Sequence, residues 1–325
     1  MSSSADRTVL LTGATGFVGR HLLPELLARG WRVRCASRDP ERARLNSPEQ
    51  QWVALDLNDD RTLAPALEGC HAAFYLVHGM GGAHDYDDRE AAAARGFASA
   101  AAGAGLARVV YLGGVAPQGA PSRHLASRLE TGRLLREGDV PCVELRAGMI
   151  VGLGSESWRI VRDLAARLPA MVLPRWLSSR SQPIAIEDVV FALAESLEMA
   201  LDGPVALDLP GPEILTAREI LTRVARLRGM RPVMIGVPLI TPWLSSWWIK
   251  LVTRADFAVA RELVQGLSSD LIIEGDGFWG RYPDHPRVPF DRAAARALAA
   301  EADELRLRDR VVERAAQALS RGIES

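Results

Sequence analysis

Eight residues near the amino end, Thr12-Gly-Ala-Thr-Gly-Phe-Val-Gly19, constrain the fold more than any other stretch. They follow a short apolar run, Thr8-Val-Leu-Leu11, and open a helical pattern that begins near Phe17. A strand that turns so tightly into a helix needs side-chain-free residues at fixed places. Gly13 permits the turn, Gly16 lets the backbone approach a pyrophosphate, and Gly19 removes a side chain where the helix packs on the sheet. The helix start then offers unpaired N–H groups and a partial positive charge to phosphate. The pattern predicts a dinucleotide site built on Gly13, Thr15, Gly16, Phe17, Val18 and Gly19.

The first 150 residues alternate between short β-type runs and helical segments. Strands are predicted at 8–12, 32–36, 51–55, 72–77, 108–112 and 142–146, with helices at 17–29, 63–68, 89–102 and 124–137. Such alternation predicts an α/β fold of Rossmann type, a doubly wound parallel sheet whose ligand site lies at the carboxyl ends of the strands. The second half is less regular and reads as a smaller, discontinuous carboxyl-terminal subdomain. Residues 1–150 are expected to form the dinucleotide-binding domain, with 181–200 returning to it. Residues 151–180 and 201–325 are expected to cover the cleft as a substrate or partner subdomain, its tail from 291 to 323 an exposed amphipathic helix.

A chain of 325 residues with 48% hydrophobic content has ample material for a buried core. Its 39 basic and 40 acidic residues leave no net field to attract nucleic acid. The basic residues are nearly all arginine, and Lys250 is the single lysine. Cys35, Cys70 and Cys142 lie in or beside apolar runs and read as buried thiols, which suits a reducing cytoplasm. The amino-terminal residues lack the apolar stretch of a secretory signal, and no run reaches the ~18–20 apolar residues of a spanning helix. A cytoplasmic protein is expected.

The end of the second strand bears on the choice of dinucleotide. An acidic side chain there would bind a ribose 2′-hydroxyl and repel a 2′-phosphate. This chain has Ser37-Arg38, with Arg42 a helical turn on, and a hydroxyl with a guanidinium suits the phosphate. NADP(H) is expected in preference to NAD(H), although Arg38 pairing with Asp39 remains the plain alternative. Asp56-Leu57 reads either as an adenine contact or as an acidic helix start. Val77 ends the fourth strand and His78 follows it, where cofactor and substrate would meet, with His78 read equally as a loop histidine.

With these motifs and Gln182-Pro-Ile-Ala-Ile-Glu-Asp188, the chain resembles the short-chain dehydrogenase/reductase superfamily. The likeness is to its atypical, extended branch of NmrA-like and complex I 39-kDa-subunit-like NAD(P)H-binding proteins, over roughly residues 7–275. The phrases Tyr75-Leu-Val-His-Gly-Met80, Val110-Tyr-Leu-Gly-Gly114 and Glu144-Leu-Arg-Ala147 carry it further. The resemblance implies a Tyr-x-x-x-Lys pair and a Ser or Thr on the fifth strand in catalytically complete members. Here none of Tyr75, Tyr86, Tyr111 and Tyr282 has a lysine four residues on, and Gly113-Gly114 stand at the hydroxyl position.

In the tyrosine–lysine region stands His124-Leu-Ala-Ser-Arg128, whose spacing puts His124 and Arg128 on one helix face. A histidine with a reference pKa near ~6.5 is a candidate proton donor, and Arg128 a candidate for the ribose hydroxyls. The plainer reading is solvated surface or a phosphate contact. Tyr111 reads as core, and Arg146 as one half of an internal salt bridge rather than a substrate contact. Cys70-His71 and His84-Asp85 lack ligand-spaced partners, so no metal site is expected. The segment Trp243-Leu-Ser-Ser-Trp-Trp-Ile-Lys-Leu-Val252 reads first as core or substrate pocket, then as a partner contact, and last as a membrane contact.

Two functions follow. One is an NADP(H)-binding protein without ordinary turnover, a redox sensor, assembly factor or accessory partner of another protein. The other is an NADPH-dependent oxidoreductase on a small apolar carbonyl or quinone-like substrate. Nucleotide-sugar epimerisation or dehydration ranks third, because it leans on the missing tyrosine–lysine pair.

Overall fold

The computed structural model describes residues 7–77, 86–117, 119, 121–167, 170–173, 178–230, 233–236 and 270–304. The chain begins β1 (Thr8–Leu11), α1 (Phe17–Ala28), β2 (Arg32–Ser37), α2 (Pro40–Asn46), β3 (Gln51–Ala54) and α3 (Asp60–Leu67). It continues β4 (Ala72–Tyr75), α4 (Tyr86–Gly103), β5 (Arg108–Gly114), α5 (Arg123–Glu137) and β6 (Cys142–Ala147). Then come β7 (Ile150–Val151), α6 (Glu156–Arg167), β8 (Ala170–Leu173), β9 (Arg180–Ser181), β10 (Ile184–Ala185) and α7 (Ile186–Ser196). Last are β11 (Val205–Leu209), β12 (Leu215–Thr216), α8 (Ala217–Leu227), β13 (Val233–Gly236), a 3-10 turn at Gly277–Arg281 and a helix described over 290–304.

Seven strands form one parallel sheet in the order β11-β6-β5-β4-β1-β2-β3, the doubly wound arrangement expected. Successive strand residues point to opposite faces. Val9 and Leu11 meet Leu22 and Leu26 of α1 and Val189 and Leu193 of α7, whereas Leu10, Tyr75 and Tyr111 meet α3, α4 and α5. Both faces are therefore covered, and the strands read as nearly continuous apolar runs. The three cysteines are buried free thiols, as the apolar neighbourhoods suggested. Burial pushes Cys35 and Cys142 up to about 12, so these two remain protonated and inert.

A second core joins Trp158, Ile160 and Leu164 of α6, Ile220, Leu221 and Val224 of α8, and Phe290, Ala293, Ala294 and Ala297. A capping box starts α8, with Thr216 and Glu219 exchanging hydrogen bonds. Two corrections to the sequence reading follow. The helix from 290 is packed on one face rather than exposed: Ala293, Ala294 and Ala297 are buried, and Glu301 accepts from the Trp158 indole at 3.1 Å. Residues after 304 lie outside the described part. The boundary set at 200 also moves, because β11 pairs with β6 as a sheet edge. Its half-buried pattern concealed that pairing.

Residues 285–291 strap the two cores together. At one end Asp188, buried at the start of α7, accepts from the Val288 N–H at 2.9 Å and faces His285 Nε2 at 3.2 Å. Burial raises the Asp188 pKa, and these partners oppose the rise. At the other end Glu213 accepts from the Phe290 N–H at 2.8 Å and pairs with Arg223 of α8 at 2.6 Å.

The sheet also holds a buried charge. Glu144 of β6 has no exposed surface, and Arg136 of α5 and Arg146 approach it at 2.7 and 2.9 Å. Arg146 is thus in a salt bridge. Gly132 makes room, since a Cβ there would stand 2.4 Å from a Glu144 oxygen. The triad locks α5 against the sheet. Glu144→Ala should lower unfolding stability by about 2–3 kcal/mol, less than the ~3–5 of a fully buried broken pair because both arginines can reach water. Urea unfolding of the two proteins reads this loss.

Candidate functional site

The cleft opens over the carboxyl ends of β1, β2, β3 and β4, with β1 and β4 sequence-distant neighbours in the sheet. Thr12 joins the two strands: its hydroxyl donates to the Phe74 carbonyl at 2.8 Å and accepts from the Leu76 N–H at 2.9 Å. Gly13 follows with φ +65°, and a Cβ on it would lie 2.7 Å from the Leu76 carbonyl oxygen. A Cβ on Gly19 would lie 2.2 Å from the Gly13 carbonyl oxygen. Side chains are excluded at both positions. The start of α1 has no side-chain cap and no acidic residue in its first turn, so its free N–H groups are left for an anion.

The cleft encloses about 740 Å³ and is walled by Gly13, Thr15, Gly16, Ser37, Arg38, Asp56, Leu57 and Val77 among the residues expected. Phe17 and Val18 do not reach it with their side chains, which pack against the core, leaving only their place in the first turn of α1. His78 lies outside the described residues, as does the tryptophan segment 243–252. Among the described residues no ion pair engages the guanidinium groups of Arg38 and Arg42, and both line the cleft. Ser37 is different from the expectation. Its hydroxyl donates to the Asp39 carbonyl at 3.0 Å and accepts from the Asp39 N–H at 3.1 Å. It is spent on the turn that carries Arg38. Asp39 in turn caps α2 by accepting from the Arg42 N–H at 3.0 Å, which fixes the first turn of that helix.

Asp56 accepts from the backbone and side-chain amides of Asn58 at 3.0 and 3.3 Å, so its carboxylate is held at the rim. The sequence reading missed Asn46, Glu90 and Ala93, which also line the cleft. Asn46 was detectable, since it stands four residues after Arg42 on the same face of α2. Glu90 and Ala93 share a face of α4, but an alanine-rich helix gives little sign of which face meets a ligand.

Beyond β4 the carboxyl end of β5 meets the start of α5. Tyr111 is fully buried, its hydroxyl donating to the Arg128 carbonyl at 2.9 Å. Arg128 donates through Nη2 to the Leu112 carbonyl at 3.2 Å. His124 is partly buried one turn earlier, and burial with the Arg128 charge holds its pKa down at about 4. It is therefore uncharged near neutrality, unlike the free histidine that the sequence suggested. Among the described residues no cluster of three His, Cys, Asp or Glu side chains is placed to hold a metal ion.

A parallel doubly wound sheet with a glycine turn, an uncapped helix start and arginines at the end of β2 defines a dinucleotide-binding protein. A family model described as NAD(P)H-binding matches residues 13–134. A ceramide reductase of Caulobacter vibrioides is 31% identical over 245 residues, 73% of this chain and 76% of that protein. Sterol demethylase protein B of Methylococcus capsulatus is 28% identical over 280 residues, 80% of each chain. The triphenylmethane reductase of a Citrobacter species, solved with NADP(H), superposes with a TM-score of 0.72 at 16% identity, over 89% of this chain and 99% of that one. An NADPH-dependent quinone oxidoreductase of Escherichia coli, solved with NADPH, gives 0.70 at 16% identity, over 88% and 98%. The chain belongs to the short-chain dehydrogenase/reductase superfamily, in its atypical NAD(P)H-binding branch of reductase- and epimerase-like proteins. No helix among the described residues is long and apolar enough to cross a membrane.

The depressed His124 pKa has a consequence for stability. The unfolded chain takes up a proton below ~6.5 that the folded chain refuses until about 4. The contribution of His124 is therefore present above pH ~6.5 and lost as the pH falls towards 4. The urea midpoint should drop across that window, and His124→Asn should flatten the drop. An unchanged slope in the variant would show that His124 titrates normally.

Proposed function

We propose that this chain is an NADP(H)-dependent reductase of an apolar carbonyl compound. The observation that carries the cofactor choice is the pair Arg38 and Arg42, lining the cleft without a carboxylate partner among the described residues. Two guanidinium groups on the end of β2 and the first turn of α2 suit a 2′-phosphate, with Asp39 holding the turn and Asn46 beside them. Gly13, Thr15, Gly16 and the first-turn amides of Phe17, Val18 and Gly19 would hold the pyrophosphate. Asp56, Leu57 and Val77 would enclose the adenine. When bound, the reduced nicotinamide supplies a hydride. His124 and Arg128 stand at the end of β5, where the reacting half of the dinucleotide would lie, and residues 151–180 with the elements after β11 would form the cover.

The names of the relatives support an apolar substrate, since one is called a ceramide reductase and the other is named for a sterol. The competing role of sensor or accessory subunit rests on the missing tyrosine–lysine pair alone. Orientation within a cleft accelerates hydride transfer without that pair. Buried free thiols suit a cytoplasmic setting.

Calorimetric titration with NADPH and with NADH tests the cofactor assignment. NADPH should bind at least ~10-fold more tightly, and Arg38→Ala should weaken NADPH by ~10–100-fold while leaving NADH nearly unchanged, as expected for a charge-assisted contact. Equal binding of the two by the wild-type protein would overturn the 2′-phosphate assignment. NADPH consumption with long-chain aldehydes and ketones tests the reaction, and tight binding without turnover would favour the sensor role.

A further inference from the structure

The amino ends of the strands, at the far edge of the sheet from the cleft, carry a cluster of charged and aromatic groups. Arg7 precedes β1, Trp31 precedes β2, His71 precedes β4, and Arg108 opens β5. Backbone hydrogen bonds hold these starts side by side. The Arg32 N–H donates to the Arg7 carbonyl at 3.2 Å, the His71 N–H to Thr8 at 2.7 Å, and the Ala107 N–H to His71 at 2.8 Å. The turn that ends α7 joins the same cluster. Arg108 Nη1 donates to the Ser196 and Met199 carbonyls at 2.9 and 2.7 Å, and Arg7 pairs with Glu198.

One contact in this cluster tolerates a single protonation state. Arg7 Nη1 stands 3.3 Å from His71 Nε2, and the Arg7 guanidinium lies 4.7 Å from the centre of the Trp31 ring. His71 stacks on the same indole, with ring centroids 6.1 Å apart. A guanidinium has donors and no acceptor, so this hydrogen bond exists only while Nε2 offers a lone pair. The partner thereby assigns a neutral ring with its proton on Nδ1. A proton from solvent and the Arg7 contact compete for one lone pair. His71 is half-buried, so the ring is not sealed from water.

The surrounding charges decide what protonation does. Among the described residues, Arg7, Arg108 and Glu198 are the charged groups that face the ring. While His71 is neutral, one carboxylate stands against two arginines. A charged His71 makes that three cations. Burial, then Arg7 and Arg108, hold the His71 pKa below the ordinary histidine value, and Glu198 opposes them.

We propose that His71 is a proton-operated pin, whose protonation expels Arg7 and frees both the chain entry to β1 and the turn after α7. The pin is fastened above the histidine titration and released below it. Its place gives it reach, because the turn after α7 leads into β11 at the sheet edge. Acid therefore loosens the joint between the returning helix and the edge strand. The pin does not depend on the reductase reading, since none of its groups lines the cleft.

Histidine-ring NMR on the full-length protein, with the His71 ring assigned through its backbone, reads the competition directly. The His71 midpoint should lie below ~6.5, and Arg7→Met should raise its proton affinity at least ~3-fold, because a donor and a charge leave together. An unchanged midpoint in Arg7→Met would overturn the proposal. Amide exchange gives the mechanical readout. The Arg32 N–H is held by the Arg7 carbonyl, and the Met199 N–H by Glu195 at 3.0 Å. Protection factors at both should fall at least ~10-fold from pH ~7.5 to ~5, while Val110 in the sheet centre keeps its protection. His71→Gln retains an acceptor for Arg7 and cannot gain a charge, so both amides should stay protected at the lower pH. An equal fall in His71→Gln, or no fall in the wild-type protein, would sink the pin. Thermal midpoints at pH ~7.5 show whether each variant folds, and if His71→Gln does not, the Arg7→Met titration decides alone.

Discussion

Helix α1 lies so close to the turn before it that a Gly19 Cβ would fall 2.2 Å from the Gly13 carbonyl oxygen. No adjustment of rotamers relieves such an overlap, because the obstructing atom is backbone. The depth at which α1 seats on the sheet is thereby set by two glycines, and the cleft follows from that depth. Thr12 ties β1 to β4 below it, and the Leu76 carbonyl closes on Gly13 from the side. The uncapped first turn of α1 is then left open above the ends of the two strands. The site is less a set of binding residues than the opening left when these backbones meet.

The two halves of the crevice use charge differently. On the β2 side the carboxyl group of Asp39 serves as a helix cap, and the hydroxyl of Ser37 is folded into the same turn. These small polar groups build the platform, and the arginines extend from it. On the β5 side the proposed reading sets His124 and Arg128 in the region of the missing tyrosine and lysine. The pairing makes physical sense. A lysine lowers the pKa of a neighbouring phenol, and without the phenol an ammonium has less to do. A guanidinium cannot copy it, but offers donors in a fixed plane. Burial, with the Arg128 charge beside it, keeps His124 neutral.

The parallel sheet was legible because its strands are buried on both faces and alternate with helices, a pattern each segment displays by itself. The glycine turn was legible for the same reason. What escaped was settled by distant parts of the chain. Nothing near Val205–Leu209 states that it pairs with Cys142–Ala147, and nothing in the alanine-rich run from 290 states that Trp158 awaits it. Arg146 was assigned to a salt bridge from the sequence, yet the two-sided grip on Glu144 and the hollow left by Gly132 appear only in three dimensions. Ser37 shows the converse limit: the residue type suited a ligand, and a turn two residues long took it instead.

The strap at 285–291 gives the order of synthesis a physical meaning. By the time a ribosome has released α6 and α8, their apolar faces still lack Phe290, Ala293 and Ala297. Asp188 likewise waits, in a helix already seated on the sheet, for the amide of Val288 one hundred residues later. The nascent chain thus carries an open apolar groove between the release of α8 and that of the strap, and the second core closes only when the strap emerges. A domain assembled in this sequence depends on the pace of translation and on chaperones that shield greasy intermediates, a demand that the finished fold no longer displays.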